Sequence, residues 1–226
     1  MKILSIDTHS KICSIAVLED STLIKECSIN NGLTHSEKLM PMIYDCLQDL
    51  NLKISDFDLL VCDKGPGSFT GIRIGVATVK AFSDSLDIPA IGISSLETLL
   101  YNVNANGLIC SLIDAKNNSA YWCLGNLYSN EYTLKTEFNV DTISNILDIL
   151  PLNTSSITFV GDGAISYKEE ILNKFPNAKF SESNEISAYN LGLIGLKYYN
   201  NSIKSDVLPL YLRKSQAEQM MEKKGL

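Results

Sequence analysis

The sequence predicts an α/β fold of two lobes, each built on a mixed β-sheet. A strand ending in aspartate, a short polar turn and a returning strand occur twice, at Leu4–Leu18 and at Ser111–Leu124. Apolar runs of strand length also alternate with segments of helical periodicity, which is typical of strands joined by crossover helices. The asparagine-rich link at 102–107 divides the predicted lobes, 1–104 and 105–226.

The first lobe is predicted to hold five strands and two helices. Apolar runs predict strands at Ile3–Asp7, Ile12–Leu18, Thr22–Ile29, 57–63 and Pro89–Ile93. Glu37 follows Thr34 at the spacing of a capping box, which predicts a helix as far as Leu50 with a kink at Pro41. A second helix is predicted over Thr70–Asp87.

The second lobe repeats the opening pattern, and Asp114 takes the position of Asp7 in the repeat. Further strands are predicted near Tyr132–Phe138 and at Ile157–Val160. Helical patterns cover Thr142–Leu150, a segment from Ala164, Ala188–Tyr199 and Ser215–Lys223.

Two lobes that each begin with strand, aspartate, turn and strand are the outline of the actin-like ATPase architecture. Asp7, Thr8 and Asp114 would then face a cleft for nucleotide phosphates and a metal, and the turn Gly161-Asp162-Gly163 resembles an adenosine-binding turn. Asp162 places a carboxylate where an all-glycine turn would leave room, which should weaken any nucleotide bound there. The alternative is that Asp7 and Asp114 are turn residues bonded to their own backbone.

The segment Lys64–Gly75 joins a predicted strand to a predicted helix and has a glycine-rich turn. Its glycines give G-x-G-x-x-x-G, one residue longer than the dinucleotide fingerprint, and no lysine follows as in a P-loop. Pro66 also lacks an N–H group that a phosphate would need. The spacing therefore favours a rigid turn over a phosphate site.

The helix after this turn has a wider apolar arc than a single sheet face requires. Small and apolar residues such as Gly71, Ile74, Gly75, Thr78 and Phe82 widen it. Other helices of the same chain, or a partner helix, could cover this arc, and the sequence leaves both open.

Composition excludes several classes of protein. A net charge of −7 and a pI near 4.9 argue against a broad nucleic-acid face. Six cysteines without a C-x-x-C pair predict reduced thiols in a cytoplasmic protein, and no apolar run reaches the length of a membrane span. His9 and His35 form no helical pair, because Leu39 follows His35 at i+4, so neither a metal nor a cofactor is predicted.

Several segments together resemble one family. They are Ile3–Thr8, Thr34–Pro41, Lys64–Gly75, Gly161–Ala164 and Pro209–Arg213. The resemblance is to TsaB, also called YeaZ, the non-catalytic subunit of bacterial tRNA threonylcarbamoyladenosine synthesis. The turn Asp114–Tyr121 departs from the family's pattern.

The resemblance implies an actin-like fold with a degenerate nucleotide cleft, and first-lobe helices that pair with a metal-bearing TsaD-type catalytic subunit. That subunit would transfer threonylcarbamoyl to the adenosine next to the anticodon of tRNAs reading ANN codons. A TsaE-type ATPase would join, tRNA would be reached only through the complex, and a homodimer through the same helices stays open. The implied partner interface comprises Met40, Ile43, Tyr44, Leu47, Gly71, Ile74, Gly75, Thr78 and Phe82.

Two other functions compete with this one. The first is an active actin-like ATPase or small-molecule kinase that uses Asp7 and Asp114 around magnesium and nucleotide. The second is a metallopeptidase, which the missing metal ligands disfavour.

Overall fold

The computed structural model describes residues 1–30, 34–152 and 156–213. In this part of the chain, two mixed sheets carry helices on their faces. The helix predicted at Ser215–Lys223 lies outside the described residues. Among the helices that are described, none combines the length and apolar character needed to cross a bilayer.

The first sheet has five described strands in the order β3-β2-β1-β4-β5. They are β1 (Lys2–Asp7), β2 (Cys13–Glu19), β3 (Thr22–Ile29), β4 (Leu59–Asp63) and β5 (Ala90–Ile93). The first three are antiparallel, and β4 and β5 run parallel to β1. Ile6 pairs with Cys62, so the next residues, Asp7 and Asp63, lie side by side at the ends of β1 and β4.

The second sheet follows the same plan, with the order β11-β10-β6-β7-β8 and with β9 also paired to β7. Its described strands are β6 (Gly107–Lys116), β7 (Ser119–Tyr128), β8 (Glu131–Leu134), β9 (Asn139–Thr142), β10 (Ile157–Val160) and β11 (Lys179–Phe180). β6 is antiparallel to β7 and parallel to β10, as β1 is to β2 and β4. The predicted internal repeat is therefore confirmed, and so is the two-lobed actin-like fold.

Seven α-helices lie in the described residues. They are α1 (His35–Leu50), α2 (Phe69–Leu86), α3 (Ser95–Leu100), α4 (Ile143–Ile149), α5 (Asp162–Ser166), α6 (Lys168–Lys174) and α7 (Ala188–Asn200). α1 begins as its capping box predicts, with the N–H of Thr34 donating to Glu37 Oε2 at 2.9 Å, and it continues through Pro41. α1 and α2 pack on one face of the first sheet.

Two helices cross between the lobes. α3 follows a strand of the first sheet but buries Leu96 and Leu99 against the second sheet. α7 follows the second sheet but buries Leu191 and Ile194 against the first. The boundary at residue 104 stays a prediction, and α7, which it assigns to the second lobe, contacts the first sheet.

One prediction about the second half is wrong. The strand expected near Tyr132–Phe138 ends at Leu134, because the N–H groups of Lys135 and Thr136 both donate to the carbonyl of Leu124, and a separate strand, β9, begins at Asn139. The helix expected near Ala164 is present as α5, which begins at Asp162. α3 was not predicted, although Ser94 caps it and precedes Glu97 at the capping-box spacing.

Candidate functional site

The glycine-rich turn between β4 and α2 is held in place by hydrogen bonds to other residues of the chain. The N–H of Gly65 donates to Asp63 Oδ1 at 2.6 Å and that of Ser68 to the His9 carbonyl at 2.7 Å, while in the first turn of α2 the N–H of Gly71 donates to Ser68 Oγ at 3.2 Å. These groups are the donors that a phosphate would need at a helix N-terminus. The structure therefore supports the rigid-turn interpretation over a phosphate site.

Gly71 and Gly75 allow α2 to approach the turn after β1. A Cβ on Gly71 would lie 2.0 Å from the backbone oxygen of Thr8, and one on Gly75 would lie 2.4 Å from Thr8 Oγ1. Thr8 Oγ1 in turn donates to the Gly71 carbonyl at 2.7 Å. Both glycines are buried, so the expectation that they face a partner helix is corrected: they face Thr8.

The other predicted interface residues divide into two groups. Ile43 and Leu47 are buried in the core of the first lobe, so they cannot present their side chains to a partner. Met40 and Tyr44 of α1 expose 49% and 63% of their surfaces, and three residues of the neighbouring helix α2 are half-buried. We call this surface the α1–α2 face, and it comprises Met40, Tyr44, Ile74, Thr78 and Phe82.

A cluster of ionisable side chains is buried where β1 and β4 end. Asp7 Oδ1 accepts hydrogen bonds from both the N–H and Nδ1 of His9, each at 2.9 Å. Asp63 Oδ1 accepts from the N–H of Gly65 and from Ser95 Oγ, each at 2.6 Å. Asp7, His9 and Asp63 are all at least nine-tenths buried, and each offers a ligand atom within 4.8 Å of the others.

The charges in this cluster act strongly on one another. Burial lowers the pKa of His9, but the charge and hydrogen bond of Asp7, with Asp63 and Asp162 farther away, raise it to about 9. Burial raises the pKa of Asp63, and the nearby charge of Asp7 raises it further. The surroundings therefore favour the charged form of His9 beside Asp7, whereas burial and the charge of Asp7 outweigh the stabilisation of the Asp63 carboxylate by His9, Ser95 and Gly65.

The second lobe contributes Asp114 and Asp162 to the predicted cleft. Asp114 accepts a hydrogen bond from Tyr167 Oη at 3.0 Å and forms an ion pair with Lys116. Burial raises the pKa of Asp114, but its bonds to Lys116 and Tyr167 outweigh this effect and lower the pKa below its ordinary value. Asp162 Oδ1 accepts from the N–H of Asp114 at 3.0 Å. Asp162 is thus bonded to the backbone of Asp114, and Asp114 is bonded to Lys116 and Tyr167 of its own lobe.

Gly161 and Gly163 pack against β6. A Cβ on Gly161 would lie 2.1 Å from the carbonyl oxygen of Leu112, and one on Gly163 would lie 3.0 Å from the same atom. Gly161 also has a φ of 104°, a conformation that favours glycine. These glycines are required by the contact with Leu112, so their presence is no evidence for an adenosine site.

We expect the protein to bind MgATP no more tightly than about 1 mM in isothermal titration calorimetry. The carboxylates of Asp114 and Asp162 repel a polyphosphate, and Asp7 is already bonded to His9. Asp7→Ala should leave the heats unchanged. Micromolar binding that disappears in Asp7→Ala would instead support the kinase alternative.

The C-terminal segment ties the two lobes to the glycine-rich turn. We call residues 205–213 the C-terminal strap. The N–H of Leu210 donates to the Lys64 carbonyl at 2.7 Å, and Tyr211 stacks on Phe69 at 4.8 Å between ring centres. Arg213 Nη1 donates to the Ala115 carbonyl of the second lobe at 2.9 Å.

Sequence reasoning missed the grouping of His9 and Asp63 with Asp7. Asp63 directly precedes the glycine-rich turn, and a signal for it was present: β4, like β1, ends in aspartate. That signal becomes informative only when β1 and β4 are known to be parallel neighbours, because the ends of such strands meet at one edge of the sheet.

Comparisons with known proteins identify the family to which this chain is related. A family model described as tRNA N6-adenosine threonylcarbamoyltransferase (TsaD) matches residues 31–219. The tRNA threonylcarbamoyladenosine biosynthesis protein TsaB of Bacillus subtilis is 34% identical over 175 residues, which is 76% of this chain and 75% of the relative. The TsaB protein of Buchnera aphidicola subsp. Schizaphis graminum is 33% identical over 78% of this chain and 89% of its own.

The solved structures agree on the fold. YeaZ from Pseudomonas aeruginosa superposes with a TM-score of 0.78 at 24% identity, over 93% of this chain and 99% of that one. The family model shows kinship with TsaD, whereas the curated relatives, aligned along three quarters or more of their length, are TsaB proteins. The chain therefore belongs to the TsaB family.

Proposed function

We propose that this protein is a non-catalytic subunit in tRNA threonylcarbamoyladenosine biosynthesis and that it binds a TsaD-type transferase through the α1–α2 face. The exposure of Met40 and Tyr44 on adjacent turns of one helix carries the proposal. A large aromatic and a flexible thioether beside half-buried apolar residues of α2 are the anchors that interface cores favour.

The absence of a catalytic role is supported by how the described polar residues are used. His35 Nε2 contacts the Ser10 carbonyl at 2.6 Å, so this histidine joins α1 to the turn after β1. The acidic residues of the candidate cleft are likewise bonded to backbone groups or side chains of the same chain. The transferase chemistry would then belong to the partner, with this chain acting as its scaffold.

The wider complex follows from the same family membership. A TsaE-type ATPase would join the heterodimer, and tRNA would be contacted through the complex and not by this acidic chain alone. A homodimer through the α1–α2 face would occur only in isolation, because the partner would compete for the same surface. The six free cysteines fit a reducing cytoplasm.

We expect Tyr44→Glu to weaken heterodimer formation at least thirtyfold, because a charge would be buried in an apolar interface. Tyr128→Glu is the matched control, since Tyr128 is 71% exposed on the second lobe. Biolayer interferometry with the purified transferase measures both affinities, and circular dichroism checks that both variants fold. Equal binding by the two variants would show that the interface lies elsewhere.

A further inference from the structure

We propose that Asp7, His9 and Asp63 form a binding site for one divalent transition-metal cation at the ends of β1 and β4. The site goes beyond the proposed function and does not depend on partner binding. Its donors are two carboxylate oxygens and one imidazole nitrogen, which would release to solvent the proton that it shares with Asp7, and all three residues are at least nine-tenths buried.

The geometry is close to that of a coordination sphere. Ligand atoms about 2.1 Å from one ion are roughly 3 to 4 Å apart. Asp7 Oδ1 and His9 Nδ1 are 2.9 Å apart, and all three donor atoms lie within 4.8 Å of one another. An inward shift of less than about 1 Å would bring Asp63 into the sphere.

A second observation points to a missing ligand. Asp63 is 1% exposed, and its Oδ2 atom accepts no hydrogen bond from any residue that the structure describes. Its Oδ1 atom is held by Gly65 and Ser95, which fixes the carboxylate and leaves Oδ2 for the cluster. An unpaired carboxylate oxygen buried beside another carboxylate is costly unless a cation or a proton compensates it.

The surroundings favour the approach of a cation. Asp162 and Glu185 are exposed carboxylates, close enough that their charges interact with His9. Negative charges near the cluster raise the local concentration of cations. A bound divalent ion would neutralise Asp7 and Asp63 together.

The donor set selects the class of metal. Carboxylates suit Mg²⁺, Ca²⁺ and Mn²⁺, whereas imidazole suits first-row transition ions. Two oxygens and one nitrogen therefore favour Mn²⁺ or a neighbouring transition ion over Mg²⁺. The ligands come from two adjacent parallel strands and the turn after one of them, so metal binding would fix the turn against which Gly71 and Gly75 pack.

Manganese titration of the untagged, EDTA-treated protein tests the site. Electron paramagnetic resonance of free Mn²⁺ is expected to show one ion bound per chain. Asp63→Asn is expected to weaken binding at least tenfold, whereas the matched control Asp114→Asn should bind like the wild type. No stoichiometric binding up to 1 mM Mn²⁺, or wild-type affinity in Asp63→Asn, would overturn the site and leave a proton as the compensating charge.

A spectroscopic readout keeps the test decisive if Asp63→Asn fails to fold. The chain has two histidines, so a nitrogen coupling in the pulsed spectrum of bound Mn²⁺ must come from His9 or His35. The coupling is expected in the wild type and in His35→Gln but not in His9→Gln. Bound Mn²⁺ without a nitrogen coupling, or a coupling lost in His35→Gln, would contradict the assignment.

Discussion

Gly71→Ala is expected to destabilise the protein by about 3 kcal/mol, because the new methyl group would meet the backbone oxygen of Thr8 at 2.0 Å. Backbone at the end of β1 cannot yield without breaking the sheet, so α2 must move instead. For a chain of this size the melting temperature would fall by roughly 6 to 12 °C. Thermal unfolding followed by circular dichroism measures it.

Thr70→Ala is the matched control for this prediction. It introduces the same residue one position earlier, at an exposed site, and should change stability by no more than about 0.5 kcal/mol. A Gly71→Ala protein as stable as this control would show that α2 does not depend on close contact with Thr8.

A double-mutant comparison separates the two glycines. At Gly75 the obstacle is the Thr8 hydroxyl, so Thr8→Ala should recover part of the stability lost in Gly75→Ala. At Gly71 the obstacle is the backbone of Thr8, so the same change should recover nothing.

Removal of the C-terminal strap is expected to have the largest effect on stability, about 4 kcal/mol. The strap contributes the hydrogen bonds of Leu210 to Lys64, Ser205 to Gly92 and Arg213 to Ala115, besides the stacking of Tyr211 on Phe69. Each bond contributes about 1 kcal/mol and the ring pair about 0.5–1.5 kcal/mol. We expect the melting temperature to fall by roughly 8 to 16 °C.

The measurement is the difference between two truncated chains, one ending at residue 204 and one ending at residue 213. Both lack the final residues, so only the strap differs between them. Urea unfolding of each chain gives the free energies. A difference below about 1 kcal/mol would mean that the strap lies on the surface without supporting the glycine-rich turn.

Much of the fold could be predicted from local patterns. The strand at Ile157–Val160 and both first-lobe helices were found within a residue or two, because periodicity and the capping box at Thr34 are local signals. β8 and β9 could not be separated, since the bend between them depends on the carbonyl of Leu124, which belongs to a different strand.

The candidate site was predictable only in part. Met40 and Tyr44 were expected at an apolar edge of α1, and they are exposed there. Gly71 and Gly75 were assigned to a partner interface because small residues on a helix permit close approach by any neighbouring segment, whether from a partner or from the same chain. Their actual neighbour, Thr8, is more than sixty residues away in the chain, and nothing in the helix itself identifies it.

By itself, the sequence determined the α/β class, the repeat that relates Asp7 to Asp114, and the family resemblance, because each of these depends only on residue types and their spacing along the chain. The tertiary structure decided which helix faces remain exposed to solvent and which acidic side chains lie close together. Asp7, His9 and Asp63 share one buried cluster because β1 and β4 pair in parallel. Strand pairing joins residues that are distant in the chain, so only the folded protein brings these charges within reach of one another.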